Sequence, residues 1–293
     1  MRWKRVAGSG DVEDRRGEAG QSSGGLPFPI PIGRAGGGGV GLLVIALIVY
    51  LIAGRGGGGG GVSPIDPFPS APSASGQGAV KGDDTTFEFV KFVSKDVQDF
   101  WTEEFAAAGK SYPRATVVLF TGGTQSSCGP ASEATGPFYC PLDHKVYLDL
   151  GFFRELDARF GAPGDFAQAY VVAHELGHHV QSLLGIESDV RSQQQDDQSK
   201  RLDLSVRLEL QADCLAGVWG HSAYTRNELD PGDAEEALGA AAAVGDDRLQ
   251  QQAGQRVNPE TWTHGSSAER TRWFRKGFDS GDPNACDTFS GDI

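Results

Sequence analysis

The sequence predicts a mainly helical α+β fold with a small sheet, preceded by a single transmembrane helix. The helices follow from apolar residues that recur at three-to-four-residue spacing in three segments, 87–105, 166–180 and 202–219. The sheet follows from short runs of β-branched and aromatic residues between the first two segments. The transmembrane helix follows from an uncharged span of about 20 residues near the amino terminus, long enough to cross a bilayer.

Composition divides the chain into four parts. Much of the glycine of this 293-residue chain, which has 42 glycines in all, lies in the first 80 residues together with patches of proline and serine. Such a segment is not expected to build a core of its own. The predicted parts are a disordered tail at 1–34, a transmembrane anchor at 35–55, a Gly/Pro/Ser linker at 56–82 and a folded domain at 83–293.

The predicted anchor has an apolar centre at 40–53 that is short, so a buried core helix is the alternative interpretation. Glycine tracts on both sides favour the membrane, and no convincing signal-peptide cleavage site follows the apolar run. Arg15, Arg16 and Arg34 precede the span and Arg55 follows it, which is a modest bias toward a cytoplasmic amino terminus. We therefore expect a single-pass protein of the cell membrane whose folded domain is extracytoplasmic.

The charge of the chain bears on its partners. The formal net charge is -13, and no stripe of lysine and arginine interrupts the acidic surface expected from it. This balance argues against nucleic acid as a partner. Nothing in the sequence indicates the oligomeric state.

The folded domain is predicted to start near Asp84 with a long helix, because Thr85 and Glu88 form a capping-box pattern. A β-branched run at 115–120 predicts a strand. Two further runs, 138–140 and 145–150, flank turn-forming residues and predict a hairpin.

The segment 169–181 contains His174-Glu175-Leu176-Gly177-His178, the pattern His-Glu-x-x-His, within a predicted helix. Histidines at i and i+4 lie about 5 Å apart along one helix face, so His174 and His178 are able to share a metal ion. Glu175 points about 100° away, out of the ligand pair but within reach of a water molecule at that ion. This is where a general base is needed.

A second pair of candidate residues lies in the predicted helix at 202–219. Glu209 and Asp213 are again four residues apart, so one carboxylate is able to bind the metal while the other accepts the free ring N–H of a ligating histidine. Two histidines, one carboxylate and an open fourth position for water form the usual catalytic zinc pattern. The alternative is that both motifs occur by chance on helix surfaces.

These motifs resemble those of the gluzincin metallopeptidases, the thermolysin-like class. More closely, the chain resembles the family of bacterial membrane-anchored proteins described as putative neutral zinc metallopeptidases. The blocks that carry this resemblance are Cys128-Gly-Pro, Gly136-Pro-Phe-Tyr-Cys-Pro, Lys145-Val-Tyr-Leu-Asp-Leu, Ala173-His-Glu-Leu-Gly-His-His-Val-Gln, Ala212-Asp-Cys-Leu-Ala-Gly-Val-Trp, Thr263-His-Gly-Ser-Ser and Cys286-Asp-Thr-Phe.

The resemblance implies a zincin-like domain that hydrolyses a peptide or protein substrate and binds one Zn²⁺ per chain. We expect His174, His178 and Glu209 as the metal ligands, Glu175 as the general base and Asp213 as the residue that orients a ligating histidine. It also implies that the strand at 146–150 offers an open edge to an extended peptide, with an interior strand as the alternative. Two other classes stay open: a catalytically silent zinc-binding module of the cell envelope, and a scaffold domain without metal.

Peptide hydrolysis also needs a hydrogen-bond donor for the developing oxyanion, and our candidate is His264, which precedes a capped helix. A structural role for this histidine is the alternative. The other candidates for the donor are Tyr224, His221 and Tyr139. His179 faces away from the row of ligands and is expected either to support a ligand or to have a structural role.

The chain has four cysteines, and none belongs to a Cys-x-x-Cys pair, so a structural zinc cluster is not expected. An even number beyond a membrane anchor suggests two disulfides. Of the three possible pairings we favour Cys128 with Cys140 and Cys214 with Cys286; buried free thiols are the alternative.

Three predictions concern the rest of the domain. The polar segment 187–201 is expected to be a mobile loop near the cleft, and Pro231 is expected to open an Ala-rich helix that runs to about Arg248. In the last predicted helix, Ser266 and Glu269 form a capping box and Gly277 is expected to end the helix.

Overall fold

The structure, a computed structural model, describes residues 1–8, 10–18, 81–132, 135–158 and 160–293. Over these ranges it has the predicted mainly helical α+β fold with a small sheet. The α-helices are α1 (Lys81–Ala107), α2 (Leu150–Ala158), α3 (Asp165–Leu183), α4 (Ile186–Asp196), α5 (Arg201–Thr225), α6 (Asp233–Ala243), α7 (Asp246–Gln252) and α8 (Ser267–Ser280). The strands are β1 (Val12–Asp14), β2 (Thr116–Phe120), β3 (Gly123–Ser126), β4 (Gly129–Ser132), β5 (Phe138–Cys140) and β6 (Lys145–Asp149).

The main sheet has the strand order β1-β2-β6-β5, in which β1, β2 and β6 are parallel and β5 is antiparallel to β6. The predicted hairpin is confirmed, with Tyr139 opposite Val146. The expectation that 146–150 offers an open edge is wrong for Val146 and Tyr147, which pair with β2 on one side and with β5 on the other. The pairing with β5 ends at Tyr147, whereas the pairing with β2 continues to Asp149. Residues 146–149 of β6 are all buried, and a strand covered on both faces belongs inside a parallel sheet.

The start of the chain belongs to the folded domain. Strand β1 pairs with β2, Glu13 forms an ion pair with Lys145 at 2.9 Å, and the ring of Trp3 packs edge-on against Phe89 at 5.4 Å between centroids. For the described residues of the segment 1–34, the prediction of a disordered tail is therefore wrong. A three-residue strand with two acidic residues has no apolar period to detect, and its pairing partner is over a hundred residues away in sequence.

The predicted anchor at 35–55 lies outside the described residues, as does the predicted linker except for its last two residues, which begin α1. None of the described helices combines the length and the apolar character that a bilayer-spanning segment needs.

Helix α3 occupies the centre of the domain. It packs against α1, α5 and α6 and touches β5, and its apolar residues are buried around its whole circumference. Its first turn is acidic, and it ends before Gly185, whose φ of 79° gives the left-handed stop that the sequence predicts. A helix buried on all sides is held rigidly, which suits a helix that carries a functional motif.

Helices α5 and α8 approach each other closely at two glycines. A Cβ on Gly217 would overlap the carbonyl oxygen of Phe274, and a Cβ on Gly277 would overlap that of Cys214. The prediction that Gly277 ends the last helix is wrong, since α8 continues to Ser280 and ends at Gly281, with a φ of 63°. Gly277 is needed for this close approach instead.

Both favoured disulfides are present, Cys128–Cys140 and Cys214–Cys286. The first joins the loop between β3 and β4 to β5. The second joins α5 to the carboxyl-terminal segment that follows α8. The alternative of buried free thiols is therefore wrong.

The predictions for the polar segment 187–201 and for the Ala-rich helix need correction. The segment 187–201 is not a loop but largely helix α4, whose first turn carries two acidic residues and whose Val190 and Gln194 are buried. The Ala-rich helix begins at Asp233 rather than at Pro231, and it stops at Ala243. A new helix, α7, begins at Asp246, and this break places the Asp246 carboxylate beside His264.

Candidate metal centre

Three predicted ligands meet between α3 and α5. Nε2 of His174 lies 3.2 Å from one carboxylate oxygen of Glu209, and Nε2 of His178 lies 3.6 Å from the other. The ring centroids of the two histidines are 4.8 Å apart. One ligand atom from each of the three residues falls within 4.8 Å of the others, so the group is able to hold a metal ion. Two imidazole nitrogens and a carboxylate oxygen form a donor set that suits zinc.

The close approach of α3 and α5 makes this meeting possible. A Cβ on Gly177 would lie 3.1 Å from the carbonyl oxygen of Ala212, so the glycine within the His-Glu-x-x-His motif keeps the two helices in tight contact. Ala212 is one turn beyond Glu209 on α5. The glycine therefore brings the carboxylate of Glu209 to the histidine row.

Asp213 lies within hydrogen-bond distance of His174. Its Oδ1 lies 2.9 Å from Nδ1 of His174, while Nε2 of the same ring faces Glu209. Asp213 is completely buried and is also bound by Arg270, whose Nε and Nη2 donate to the two carboxylate oxygens at 2.8 and 2.9 Å. The hydroxyl of Tyr170 donates to Asp213 Oδ1 at 2.5 Å. A buried carboxylate is costly unless it is paired in this way.

The electrostatics of the group follow from its charges. Burial alone would lower the pKa of His174, but Asp213 and Glu209 outweigh it and raise the pKa to about 10. Burial would raise the pKa of Glu209, but His178 and His174 hold it well below its usual range. Burial would likewise raise the pKa of Asp213, but Arg270 and His174 lower it. Both carboxylates are thus ionised in this centre.

Glu175 is buried beside the ligands, with 8% of its surface exposed. Burial raises the pKa of its carboxyl, and the neighbouring His174 and His178 partly oppose this rise. A carboxylate with a raised pKa accepts a proton more readily than an exposed one, as a general base requires.

His264 lies near the same centre, in the loop before α8. Its Nδ1 lies 3.0 Å from Asp246 Oδ1, and the other oxygen of Asp246 accepts from the backbone N–H groups of Thr263, His264 and Gly265. Burial would lower the pKa of His264, but Asp246 raises it, and Glu209 is near enough to add to that rise. Asp246 therefore fixes both the loop and the imidazole ring.

The other candidate donors lie elsewhere or have other partners. His221 and Tyr224 are near the end of α5, at least 12 residues or roughly 18 Å beyond Glu209. Tyr139 has its hydroxyl within 3.0 Å of Nδ1 of His179 and within 2.8 Å of Nδ1 of His144.

His179 has the structural role that the sequence predicts. Its Nε2 donates to the carbonyl of Pro113 at 2.7 Å, and burial lowers its pKa to about 4. A neutral, buried ring with both nitrogens in hydrogen bonds supports the contact between α3 and the residues before β2.

Sequence reasoning missed four residues of the centre. Tyr170 and Gln181 lie on α3 at i−4 from His174 and i+3 from His178, so helix geometry was a local signal for both. Arg270 and Asp246 gave no such signal, since their partners are 57 and 18 residues away in sequence.

The chain matches a protein family and is similar to bacterial proteins. The model of the family described as "Putative neutral zinc metallopeptidase" matches residues 1–289. "Uncharacterized protein YpfJ" of Escherichia coli (strain K12) is 46% identical over 295 residues, covering 100% of both chains. "Uncharacterized protein Rv2575" of Mycobacterium tuberculosis (strain ATCC 25618 / H37Rv) is 51% identical over 190 residues, covering 61% of this chain and 64% of its own. No solved structure matches this chain.

The family match includes both metal-centre helices, and the family description names zinc, for which the donor set is suited. The chain therefore belongs to the putative neutral zinc metallopeptidase family.

Proposed function

We propose that this protein is a zinc-dependent peptidase that hydrolyses peptide bonds with a water molecule and Glu175 as the general base. The observation that carries the proposal is the cluster of His174, His178 and Glu209. The buried Glu175 lies beside it, on the helix that carries the two histidines. A purely structural zinc site needs no such base and is usually closed by a fourth protein ligand.

One Zn²⁺ per chain, held by His174, His178 and Glu209, would polarise the scissile carbonyl and lower the pKa of a water molecule toward neutrality. Glu175 accepts the proton that this water loses as it attacks, and then delivers the proton to the leaving amine. Asp213 keeps the ring of His174 in the tautomer whose Nε2 faces the ligand cluster. Arg270 keeps the Asp213 carboxylate ionised and in place.

In this mechanism His264 donates a hydrogen bond to the developing oxyanion. Asp246 accepts from Nδ1 and raises the pKa of the ring, so the protonated ring keeps a hydrogen on Nε2 that it donates to the oxyanion. His264→Ala is expected to lower kcat by roughly 10²–10³-fold while zinc content is unchanged, because removing one oxyanion donor costs about this much. The measurement pairs steady-state hydrolysis with metal analysis, and His221→Ala on the far part of α5 is the control.

Unchanged turnover in a folded His264→Ala variant would remove this residue from the mechanism. Loss of zinc in the same variant would assign it a role in holding the metal instead.

The domain is proposed to work outside the cytoplasm, anchored by the segment 35–55, and the support for this is the pair of disulfides. A single membrane crossing between residues 18 and 81 would separate β1 from β2, which are paired in this structure. A molecule in which β1 pairs with β2 therefore does not cross the membrane a single time between these two strands.

The two arrangements, β1 paired with β2 and a single crossing, are separated by labelling introduced cysteines in intact cells with a membrane-impermeant maleimide. All four native cysteines are in disulfides, so Glu18→Cys and Lys110→Cys each add one reactive thiol. Both side chains are exposed. A single-pass anchor predicts labelling at position 110 and none at position 18. Labelling at both positions would contradict the single crossing and support the docked strand.

The peptidase proposal is tested with the full chain and a peptide library. We expect cleavage by the zinc-loaded protein, loss of cleavage after chelation, and recovery when zinc is returned. Stoichiometric zinc with no cleavage of any peptide would favour the catalytically silent zinc-binding module.

A further inference from the structure

The two ligating histidines are supported by different kinds of partner. Nδ1 of His174 faces a buried carboxylate that is paired with an arginine. Nδ1 of His178 instead lies 2.8 Å from the side-chain oxygen of Gln181, which is completely buried one turn further along α3. The partner of the second histidine is thus a neutral amide.

The amide of Gln181 has only one orientation that satisfies its neighbours. Its nitrogen lies 2.7 Å from the carbonyl oxygen of Leu208 and 3.0 Å from Oε1 of Gln211. A carbonyl oxygen only accepts hydrogen bonds, so the nitrogen must point toward Leu208. The opposite orientation would place two oxygens 2.7 Å apart in a buried region, where an unmade hydrogen bond is costly.

Gln211 extends the same chain of hydrogen bonds and gives it the same direction. Its nitrogen donates at 3.0 Å to the backbone carbonyl of Cys286, so its oxygen is the atom that accepts from Gln181. Cys286 is joined to Cys214 on α5 by a disulfide, which fixes the position of that carbonyl. The direction is therefore set at both ends of the chain by backbone carbonyls that cannot donate.

The orientation of the Gln181 amide determines which ring nitrogen of His178 carries the hydrogen. The Gln181 oxygen facing the ring is an acceptor, so Nδ1 of His178 carries a hydrogen. In the neutral ring Nε2 then carries a lone pair, and Nε2 is the atom that faces Glu209 in the ligand cluster. The amides hold His178 in the form that a metal ligand requires before any metal arrives.

We infer that Gln181 is a positioning residue of the metal centre, which fixes the tautomer of His178 through the hydrogen-bonded chain Gln181–Gln211–Cys286. This inference rests on the proposed metal site. The two histidines thus have different partners, a charged pair at His174 and a chain of neutral amides at His178.

The test compares two buried glutamines that each donate two hydrogen bonds through Nε2. Gln181→Leu removes the partner of His178, whereas Gln194→Leu removes bonds to Arg201 and Ser205 and does not touch the centre. Both variants are expected to lose stability. Zinc affinity, measured by competition with a chelator, is expected to fall about tenfold or more in Gln181→Leu, the usual effect of losing a histidine partner, and to stay unchanged in Gln194→Leu.

The second readout is the ¹⁵N NMR signature of the histidine rings in metal-free protein. We expect the Nδ1–H form of His178 in the wild type and in Gln194→Leu, and a shift toward the Nε2–H form in Gln181→Leu. Gln181→Met, which has a similar length and only a weak acceptor, replaces Gln181→Leu should the latter fail to fold. Unchanged zinc affinity and an unchanged tautomer in a folded Gln181 variant would overturn the inference.

The NMR readout needs no metal, so it separates this inference from the proposed function. Wild-type protein that binds no zinc but shows the Nδ1–H form would contradict the peptidase and leave the amide chain in place. Wild-type protein that binds zinc but shows the Nε2–H form when metal-free would contradict the amide chain alone.

Discussion

Glu175→Gln is expected to lower peptide hydrolysis by roughly 10²–10⁴-fold, the usual contribution of a positioned general base. Glutamine has nearly the same shape as glutamate, but its amide cannot take a proton from water at neutral pH. Zinc content is expected to stay at one per chain, because Glu175 lies outside the cluster formed by His174, His178 and Glu209. The measurement is hydrolysis of a cleaved library peptide, together with metal analysis of the same sample.

The control for this variant is Glu103→Gln, the same chemical change at an exposed position of α1. It is expected to retain full activity. Hydrolysis by Glu175→Gln at the wild-type rate would show that another group takes the proton. Loss of zinc in Glu175→Gln would show that the glutamate holds the metal rather than the proton.

His174→Ala is expected to remove both metal and activity. The variant loses a ligand rather than the support of a ligand, so its zinc affinity should fall by more than the roughly 100-fold upper range for lost supporting partners. The fold is expected to persist, because Asp213 keeps its two hydrogen bonds from Arg270 and its bond from Tyr170. Zinc affinity and the unfolding transition are measured on the same preparation.

The matched control replaces an exposed histidine. His144 has a φ of 56°, which asparagine also adopts readily, so His144→Asn removes an imidazole without straining the turn. This variant is expected to keep zinc and activity. Full zinc binding by folded His174→Ala would contradict the ligand set.

The sequence predicts those parts of the centre that depend on residues close together in the chain. His174 and His178 are one helical turn apart, as are Glu209 and Asp213, so helix geometry alone predicts that each pair shares a face. That the two pairs meet depends on the packing of α3 on α5. The resemblance supplied this expectation, and the structure brings the pairs together.

The residues that the sequence did not reveal act over long separations. Arg270 reaches Asp213 only because Gly217 and Gly277 let α8 lie against α5, and no local pattern of the sequence indicates this contact. The sequence predicts a helix stop at Gly277, because an isolated glycine near a helix end usually is one. Its actual role depends on a neighbouring helix, which no window of the sequence contains.

The errors in the sheet have the same origin. The apolar run of β6 predicts a strand, but whether that strand lies at an edge depends on β2 and β5, which pair with its two sides. Strand β1 is short and charged, and its pairing with β2 has no local signal at all. Strand pairing is non-local, so the pattern of one segment does not determine its neighbours.

The position of the metal is observed directly by diffraction from zinc-loaded crystals of the protein, recorded at the zinc absorption edge. We expect one anomalous peak per chain, about 2.0–2.2 Å from Nε2 of His174, Nε2 of His178 and a carboxylate oxygen of Glu209. Among the described residues, Asp165, Asp233 and Glu236 form a second cluster able to hold a metal ion. A peak at that cluster alone, or no peak in well-ordered protein, would contradict the assignment of the metal centre.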